Sequence, residues 1–319
     1  MAACVSRTCS SSPRTARATS LKRLASSSSK AKQLEALLFG VGAAVVWGFA
    51  DYAAALAARR VGAVRTAFGM QTTGLLSFAI VLAALGRWPS LESGEAPYAL
   101  ALGVLGVASV SALYRALALG PVAVVAPVVA SYVAVTVFLV VIFLGERLSV
   151  AQLVAATVVF IGVVTTSTDS RQLRATLGRP IPGVQVGLLA TVGFGIWGAI
   201  FAAATRAYPW PAVILVLRAA SVLIVSAFVI LRHIDLTVFR DRRALALATT
   251  VGVLDTFANA LFALGIQSGS ASIAASGSGA YPIIPAILGV VALRERLAPN
   301  QYVGIAILIS GLVALGAVS

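Results

Sequence analysis

The sequence GERLSVAQ at residues 145–152 returns as RERLAPNQ at residues 294–301, and each copy follows a long apolar stretch. Superposing the two segments requires a shift of 149 positions. The same shift aligns further identical pairs, among them Gly120 with Gly269, Tyr132 with Tyr281, Leu144 with Leu293, and Gly162 with Gly311. Agreement over so long a register indicates that a whole module is duplicated, not only a short motif.

Composition places this duplicated module in a membrane. Apolar residues make up 60% of the chain and charged residues 11%, with a mean hydropathy of +0.99. A soluble domain would be about one quarter charged. Stretches of about 20 apolar residues are long enough to cross the roughly 30 Å hydrocarbon layer as helices. We therefore expect a helical integral membrane protein.

Charged residues, prolines and glycines divide the apolar sequence into ten spans. They cover approximately residues 36–57, 64–86, 98–118, 121–144, 149–167, 182–204, 210–231, 243–265, 271–293 and 299–318. An odd number of spans per module makes the second module enter the membrane from the opposite side. The sequence therefore predicts an all-α integral membrane protein with ten transmembrane helices arranged as two inverted five-helix repeats.

The predicted boundaries are 36–167 for the first repeat, 168–182 for a polar linker and 183–318 for the second repeat. Residues 1–35 form a basic, Ser-rich tail that we expect to be disordered. It lacks the apolar core of a secretory signal peptide, so a cytoplasmic extension, a misplaced start codon and an organellar transit peptide stay open. The cell membrane is the expected location, with an organellar envelope membrane as the alternative.

The formal net charge of +14 does not indicate a nucleic-acid partner. Seven of the 24 basic residues lie in the first 32 positions, and the arginines that follow stand mostly at span ends, where they meet lipid headgroups. The expected partners are the lipid bilayer and a small-molecule substrate. The sequence contains no Cys/His cluster and no phosphate-binding loop after a strand, so we expect no metal, no cofactor and no ATP-driven mechanism.

Four ionisable side chains fall inside predicted spans: Asp51, Arg115, Arg218 and Asp255. A charge at the bilayer centre costs about 2.5–3.5 kcal/mol, so each of these groups should face protein or water. Pairing among the four, and contact of at least one with a substrate or a proton, are the two alternatives. A low-dielectric cavity disfavours the charged form of a carboxylate, which permits proton coupling without establishing it.

Neighbouring residues suggest where a cavity would lie. Asp51 follows Trp47 by one helical turn and Asp255 precedes Asn259 by one turn, so each carboxylate shares a helix face with an aromatic or polar side chain. The equivalent residues Tyr132 and Tyr281 could each offer a ring and a hydroxyl to the same cavity. A position at the membrane interface is the alternative for these tyrosines.

Proline distribution predicts where the helices bend. Pro127 lies in the fourth span, and Pro282 in the ninth directly follows Tyr281. A proline removes a backbone hydrogen bond, so neighbouring helices must satisfy the freed groups. We therefore expect hinges at Pro127 and Pro282.

The Glu-Arg pairs of the duplicated motif stand at span ends, where charges need no functional explanation. We expect them to cap helices and to tie the fourth span to the fifth and the ninth to the tenth. Small residues in the fifth and tenth spans, including Gly162 and Gly311, suit close helix packing within the chain or between two copies. A homodimer is therefore open.

Several short motifs resemble a known family. They are Trp-Gly in the first span of each half, Tyr114-Arg115-Ala116-Leu117, Gly120-Pro121, Val125-Ala126-Pro127, Leu254-Asp255 and Ala258-Asn259, beside the duplicated Glu-Arg-Leu. Together they resemble the EamA domains of the drug/metabolite transporter superfamily over residues 36–318. The resemblance implies a ten-helix carrier whose central cavity is lined by spans 1, 3, 4, 6, 8 and 9, with export expected over uptake.

The function predicted from sequence is secondary active transport of a small organic metabolite by alternating access. The candidate substrate-binding or coupling residues are Trp47, Asp51, Tyr114, Arg115, Tyr132, Trp197, Asp255, Asn259, Ser276, Ser278 and Tyr281. A channel or scaffold is one rival, and an intramembrane serine hydrolase using the Ser-Gly run at 276–279 is another. The only histidine, His233, follows the seventh span, so a serine there lacks an evident base. We expect no catalytic residue and no enzyme.

Overall fold

The structure, a computed structural model, describes residues 13–144, 150–166, 182–268, 274, 277–278 and 281–317. All regular secondary structure in these residues is helical. The helices are α1 Pro13–Val61, α2 Ala63–Leu85, α3 Glu95–Leu119, α4 Val122–Ala130, α5 Tyr132–Leu144, α6 Val150–Thr166, α7 Val184–Ala207, α8 Trp210–Leu231, α9 Arg242–Ser268, α10 Ile283–Val291 and α11 Pro299–Ala317. A 3-10 helix, Thr237–Arg240, lies between α8 and α9.

Six helical segments are long and apolar enough to cross a membrane: Ala31–Val61, Ala63–Leu85, Glu95–Leu119, Val184–Ala207, Trp210–Leu231 and Arg242–Ser268. Shorter apolar helical stretches cover Val122–Thr136, Leu153–Gly162 and Pro299–Ala314. The chain is therefore a helical, multi-pass integral membrane protein. The count of ten spans stays a prediction.

Helix α1 begins earlier than we expected. It extends for 49 residues from Pro13, so the structure has helix across 13–35, where the sequence suggested a disordered tail. Proline suits the first position of a helix because the backbone N–H that it lacks would have no helical partner there. No glycine or further proline occurs before Gly40, and the alanines, leucines, lysines and arginines between favour helix. Residues 1–12 lie outside the described residues.

The fourth predicted span is broken into two helices. Helix α4 ends and α5 begins around Ser131, four residues after Pro127. The Val128 carbonyl accepts hydrogen bonds from the Ser131 hydroxyl at 2.6 Å and from the Thr191 hydroxyl at 3.2 Å. A neighbouring helix thus satisfies irregular backbone, as a break at membrane depth requires.

The second half has a corresponding irregularity. Tyr281 and Pro282 form a turn directly before α10. Under the 149-residue register, Tyr281 corresponds to Tyr132, the first residue of α5. Tyr132 therefore begins a helix directly after a break, and Tyr281 lies in the turn that precedes one.

The two halves pack against each other reciprocally. Helix α1 of the first half packs on α9 of the second, while α7 of the second packs on α3 of the first. In the same way α2 contacts α9, and α8 contacts α3. Each half therefore buries its first three helices against the other half.

Helices α6 and α11 meet through their glycines. A β-carbon added at Gly162 would lie 2.5 Å from the Leu308 α-carbon, and one at Gly311 would lie 2.8 Å from the Val159 backbone nitrogen. Such spacing permits the close backbone approach typical of membrane helix pairs. These glycine faces are thus used within the chain, and the homodimer stays a prediction.

Glu295 of the duplicated motif caps a helix of the other half. Its carboxylate accepts hydrogen bonds from the backbone N–H groups of Val122 and Ala123, both at 2.9 Å, and from the Arg59 guanidinium at 3.1 Å. A carboxylate at a helix N-terminus satisfies otherwise unpaired donors and complements the helix dipole. We expected this motif to tie the ninth span to the tenth, but Glu295 ties the second half to α1 and α4. The first Glu-Arg pair, at 146–147, lies outside the described residues.

Candidate functional site

A cavity lies between the two halves near the middle of the bundle. Side chains from α1, α2, α3 and α5 of the first half and from α7, α8 and α9 of the second line it. Its volume is about 90 Å³, whereas one water needs about 10–15 Å³. The cavity therefore has room for several waters or for a small organic molecule.

Equivalent residues of the two halves line this cavity together. The register of 149 residues matches Gly106 with Asp255, Val110 with Asn259, Leu113 with Phe262, and Tyr132 with Tyr281, and all eight residues line the cavity. The duplicated module thus builds one cavity from both of its copies. At the first two of these pairs, α3 supplies a glycine and a valine where α9 supplies Asp255 and Asn259.

Asp255 is the centre of a hydrogen-bond network. The Trp47 indole N–H donates to one carboxylate oxygen at 3.2 Å, and the Asn259 amide donates to the other at 2.9 Å. Arg218 donates to the same oxygen as Asn259 and forms an ion pair with Asp255. Three donors therefore satisfy this carboxylate, which agrees with the pairing alternative derived from the sequence.

Arg218 is held on its other side as well. Its guanidinium donates to the Gln71 amide oxygen at 2.7 Å, and the whole residue is only 1% exposed. A buried guanidinium requires such partners because desolvation strongly disfavours an unpaired charge. Sequence reasoning missed Gln71, and the only signal for it was a polar residue in an apolar span.

The two Trp-Gly motifs differ in their hydrogen bonds. The Trp197 indole N–H donates to the Leu102 carbonyl at 3.2 Å, whereas that of Trp47 donates to the Asp255 side chain. A β-carbon at Gly106, the counterpart of Asp255, would lie 3.2 Å from the Trp197 indole nitrogen. Because glycine has no side-chain acceptor at this position, the Trp197 indole donates to a backbone carbonyl instead. The charge in this part of the cavity is therefore asymmetric between the halves.

Asp51 differs from Asp255 in its lack of a hydrogen-bond or ion-pair partner among the described residues. It lines the cavity and is 8% exposed, and its carboxylate makes no hydrogen bond with any described residue. Arg218 is occupied by Asp255 and Gln71. Asp51 and Asp255 repel each other electrostatically. Among the described residues, one carboxylate of the cavity thus lacks a counter-ion.

Aromatic rings line the same cavity as this carboxylate. The Tyr132 ring centre lies 6.3 Å from that of Tyr281 and 5.8 Å from that of Phe194. Trp47 and Phe262 approach to 5.4 Å. These separations are within the range of favourable aromatic contacts, so the rings support one another in a packed wall. A hydrogen bond also links the side chains of Tyr132 and Ser278.

The structure brings together most residues that the sequence singled out. The cavity is lined by Trp47, Asp51, Tyr114, Tyr132, Trp197, Asp255, Asn259, Ser278 and Tyr281. Arg115 is exposed and does not line it, because consecutive helix residues point about 100° apart and Tyr114 faces inward. Ser276 lies outside the described residues. The functional roles of all these residues stay predictions.

The predicted hinges and the histidine lie away from the cavity wall. Pro127 is buried within α4, and Pro282 precedes α10. His233 is exposed just beyond the end of α8 and does not line the cavity. Within the described ranges, no group of three or more His, Cys, Asp or Glu residues is arranged to hold a metal ion.

Helices of membrane-spanning length and a cavity between duplicated halves define a multi-pass membrane protein with an internal repeat. The family model described as the EamA-like transporter family matches residues 34–168 and 181–317. The chain belongs to this family, and the resemblance to the drug/metabolite transporter superfamily is confirmed.

Solved structures support the fold. One described as "Crystal structure of protein" is 19% identical in sequence, with a TM-score of 0.62, and the match covers 88% of this chain and 98% of that chain. Identity at this level establishes likeness of fold alone. A search of curated proteins found no match.

Proposed function

We propose that the protein is a secondary active transporter that exports a small organic metabolite by alternating access. The central observation is the cavity between the halves, with an unpaired carboxylate on its wall. A membrane protein keeps such a costly group where a ligand, an ion or a proton uses it. Proton coupling through Asp51 is part of the proposal, because this carboxylate is free of the ion pair that holds Asp255.

The proposed architecture has ten spans in two inverted repeats. Reciprocal packing of α1 on α9 and of α7 on α3 supports a pseudo-twofold relation between the halves. The odd number of predicted spans per half supports an axis in the membrane plane. Alternating access would then be a rocking of one half against the other about the cavity.

The helix breaks support the location of the hinges. Tyr132 begins α5 directly after the break at Ser131, close to Pro127, and Tyr281 lies at the equivalent position in the turn with Pro282. Backbone that lacks continuous hydrogen bonds bends more easily than regular helix. We therefore propose that bending at these two places opens and closes opposite ends of the cavity.

Counterflow in proteoliposomes tests this function. Candidate amino acids, nucleosides and amphipathic cations are first screened by the thermal stabilisation of the purified protein, since a ligand that binds the native state raises its unfolding temperature. Vesicles loaded with unlabelled ligand should then transiently accumulate the labelled form. A channel would equilibrate the label without an overshoot, and that result for every stabilising ligand would reject the carrier.

The hydrolase alternative has little support in the described residues. Ser278 lines the cavity, but no histidine does, so the serine lacks the usual base. Residues around it at 275–276 and 279–280 lie outside the described residues. A channel or scaffold is separated from a carrier by the counterflow experiment.

A further inference from the structure

We infer that the cavity selects organic monocations, with Asp51 as the counter-ion and the surrounding aromatic rings as the wall that holds the cation. This inference rests on the proposed transport function and specifies the chemical class of its substrate. It concerns the charge that the described cavity residues leave uncompensated.

The charge balance of the cavity is the first argument. Two carboxylates and one guanidinium lie among its described lining residues, so the ionised groups sum to one negative charge. No lysine, no histidine and no second arginine lines it within the described ranges. Asp255 and Arg218 neutralise each other, while Gln71 accepts a hydrogen bond from Arg218 and Asn259 donates one to Asp255. When all three groups are ionised, the excess charge therefore resides on Asp51.

The position of that charge is the second argument. Asp51 is nine-tenths buried, so bulk water compensates it poorly. Because a buried site has a lower effective dielectric constant than water, a cation bound beside this carboxylate would be attracted more strongly than in bulk solvent. A ligand carrying one positive charge makes the cavity neutral, whereas an anion adds a second unpaired negative charge.

The aromatic wall is the third argument. Tyr132, Tyr281 and Phe194 have neighbouring ring centres 5.8–6.3 Å apart, and the carboxylate of Asp51 acts electrostatically on both tyrosines. Cations bind over the faces of such rings, and several rings together form the cages that recognise ammonium ions. Apolar rings also suit the hydrocarbon part of an organic cation, which a bare metal ion would not use.

The test compares three probes that share a benzyl group and differ in charge. Benzyltrimethylammonium carries a permanent positive charge, N-benzylacetamide is neutral and benzylsulfonate is negative. Binding to the purified full-length protein is measured by calorimetry and by quenching of indole fluorescence, because Trp47 and Trp197 both line the cavity. We expect the cation to bind at least about tenfold more tightly than either other probe.

Variants assign the preference to one side chain. Asp51→Asn removes the charge at nearly constant volume and should weaken cation binding at least about tenfold, whereas Asp51→Glu should retain most of it. Glu92→Gln is the matched control, since Glu92 is exposed in the α2–α3 connection, and it should bind the cation like the wild type. Binding of N-benzylacetamide should be the same in all four proteins.

Two results would overturn the inference. One is a wild-type protein that binds the cation no better than the neutral or the negative probe. This comparison does not depend on the folding of any variant. The other is an Asp51→Asn protein that keeps full cation affinity. Counterflow separates this failure from failure of the function: transport of neutral or anionic solutes alone leaves a carrier with another substrate class, whereas absence of counterflow for every solute rejects the carrier itself.

Discussion

Replacement of Asp255 by Asn should destabilise the fold, whereas the same replacement at Asp51 should not. Asp255 forms an ion pair with Arg218, whose side chain is only 2% exposed. Removing the carboxylate charge leaves a buried guanidinium without its counter-ion. Removing the Asp51 charge instead abolishes an unpaired carboxylate, so the stability should stay constant or rise.

The expected magnitude follows from the environment of the pair. Breaking a buried ion pair by removing one partner costs about 3–5 kcal/mol. An Asn at 255 still offers one amide oxygen to Trp47 or Arg218, and Gln71 still accepts from Arg218, so the lower end applies. A loss of about 3 kcal/mol corresponds to a fall of roughly 6–12 °C in unfolding temperature, on the scale of soluble proteins of 150–250 residues.

Thermal unfolding in detergent, followed by intrinsic fluorescence, measures both variants. The double variant Asp255→Asn with Arg218→Met should recover most of the loss, since it leaves no buried charge without its counter-ion. If Asp255→Asn unfolds at the wild-type temperature, the ion pair does not stabilise the native state. Equal destabilisation by Asp51→Asn would contradict the distinction between a paired and an unpaired carboxylate.

Three other predictions concern packing and charge. Gly162→Ala should destabilise by about 1–3 kcal/mol because its β-carbon meets the backbone of α11 at 2.5 Å, whereas Gly42→Ala, with its nearest contact at 3.4 Å, should unfold at or above the wild-type temperature. Glu295→Gln should cost about 1 kcal/mol through loss of the charged cap on α4, and an unchanged unfolding temperature would argue against that cap. The Thr237 hydroxyl hydrogen bond lowers the pKa of Asp235, and the Arg60 hydrogen bond lowers the pKa of Asp241. The stabilisation of the native state by these two carboxylates should be complete above the ordinary pKa of 3.8 and lost as the pH falls through the lower folded-state values. The double variant Asp235→Asn/Asp241→Asn should therefore unfold at a lower temperature than the wild type near neutral pH. In strong acid the two unfolding temperatures should converge.

The sequence was sufficient for the membrane class and the family because both depend on long-range patterns. Apolar length indicates spans, and the 149-residue register reveals duplication without any knowledge of contacts. Asp51, Asp255 and Tyr281 could be selected because polar and aromatic groups inside apolar spans are costly unless they face protein or water. All three line the cavity.

What the sequence could not supply was the pairing between distant helices. The Asp255–Arg218 ion pair joins α9 to α8, and Gln71 of α2 accepts a hydrogen bond from Arg218. No spacing along the chain indicates this arrangement. Because spacing along the chain does not show contacts between distant helices, we also expected Glu295 to act within its own half. The outward orientation of Arg115 depends on the rotation of α3 about its axis, which a single charged residue in a span does not determine.

Access to the cavity from its two ends tests the central claim most directly. Leu113 lines the cavity toward the C-terminal end of α3, and Leu217 lines it toward the N-terminal end of α8, at the opposite end of the bundle. Single cysteines at these positions, in a protein whose native Cys4 and Cys9 are replaced by serine, are alkylated with a membrane-impermeant reagent with and without a solute that shows counterflow. An alternating-access carrier predicts that the solute raises the labelling rate at one position and lowers it at the other. Labelling that rises or falls together at both positions, or that does not respond to the solute, would contradict it.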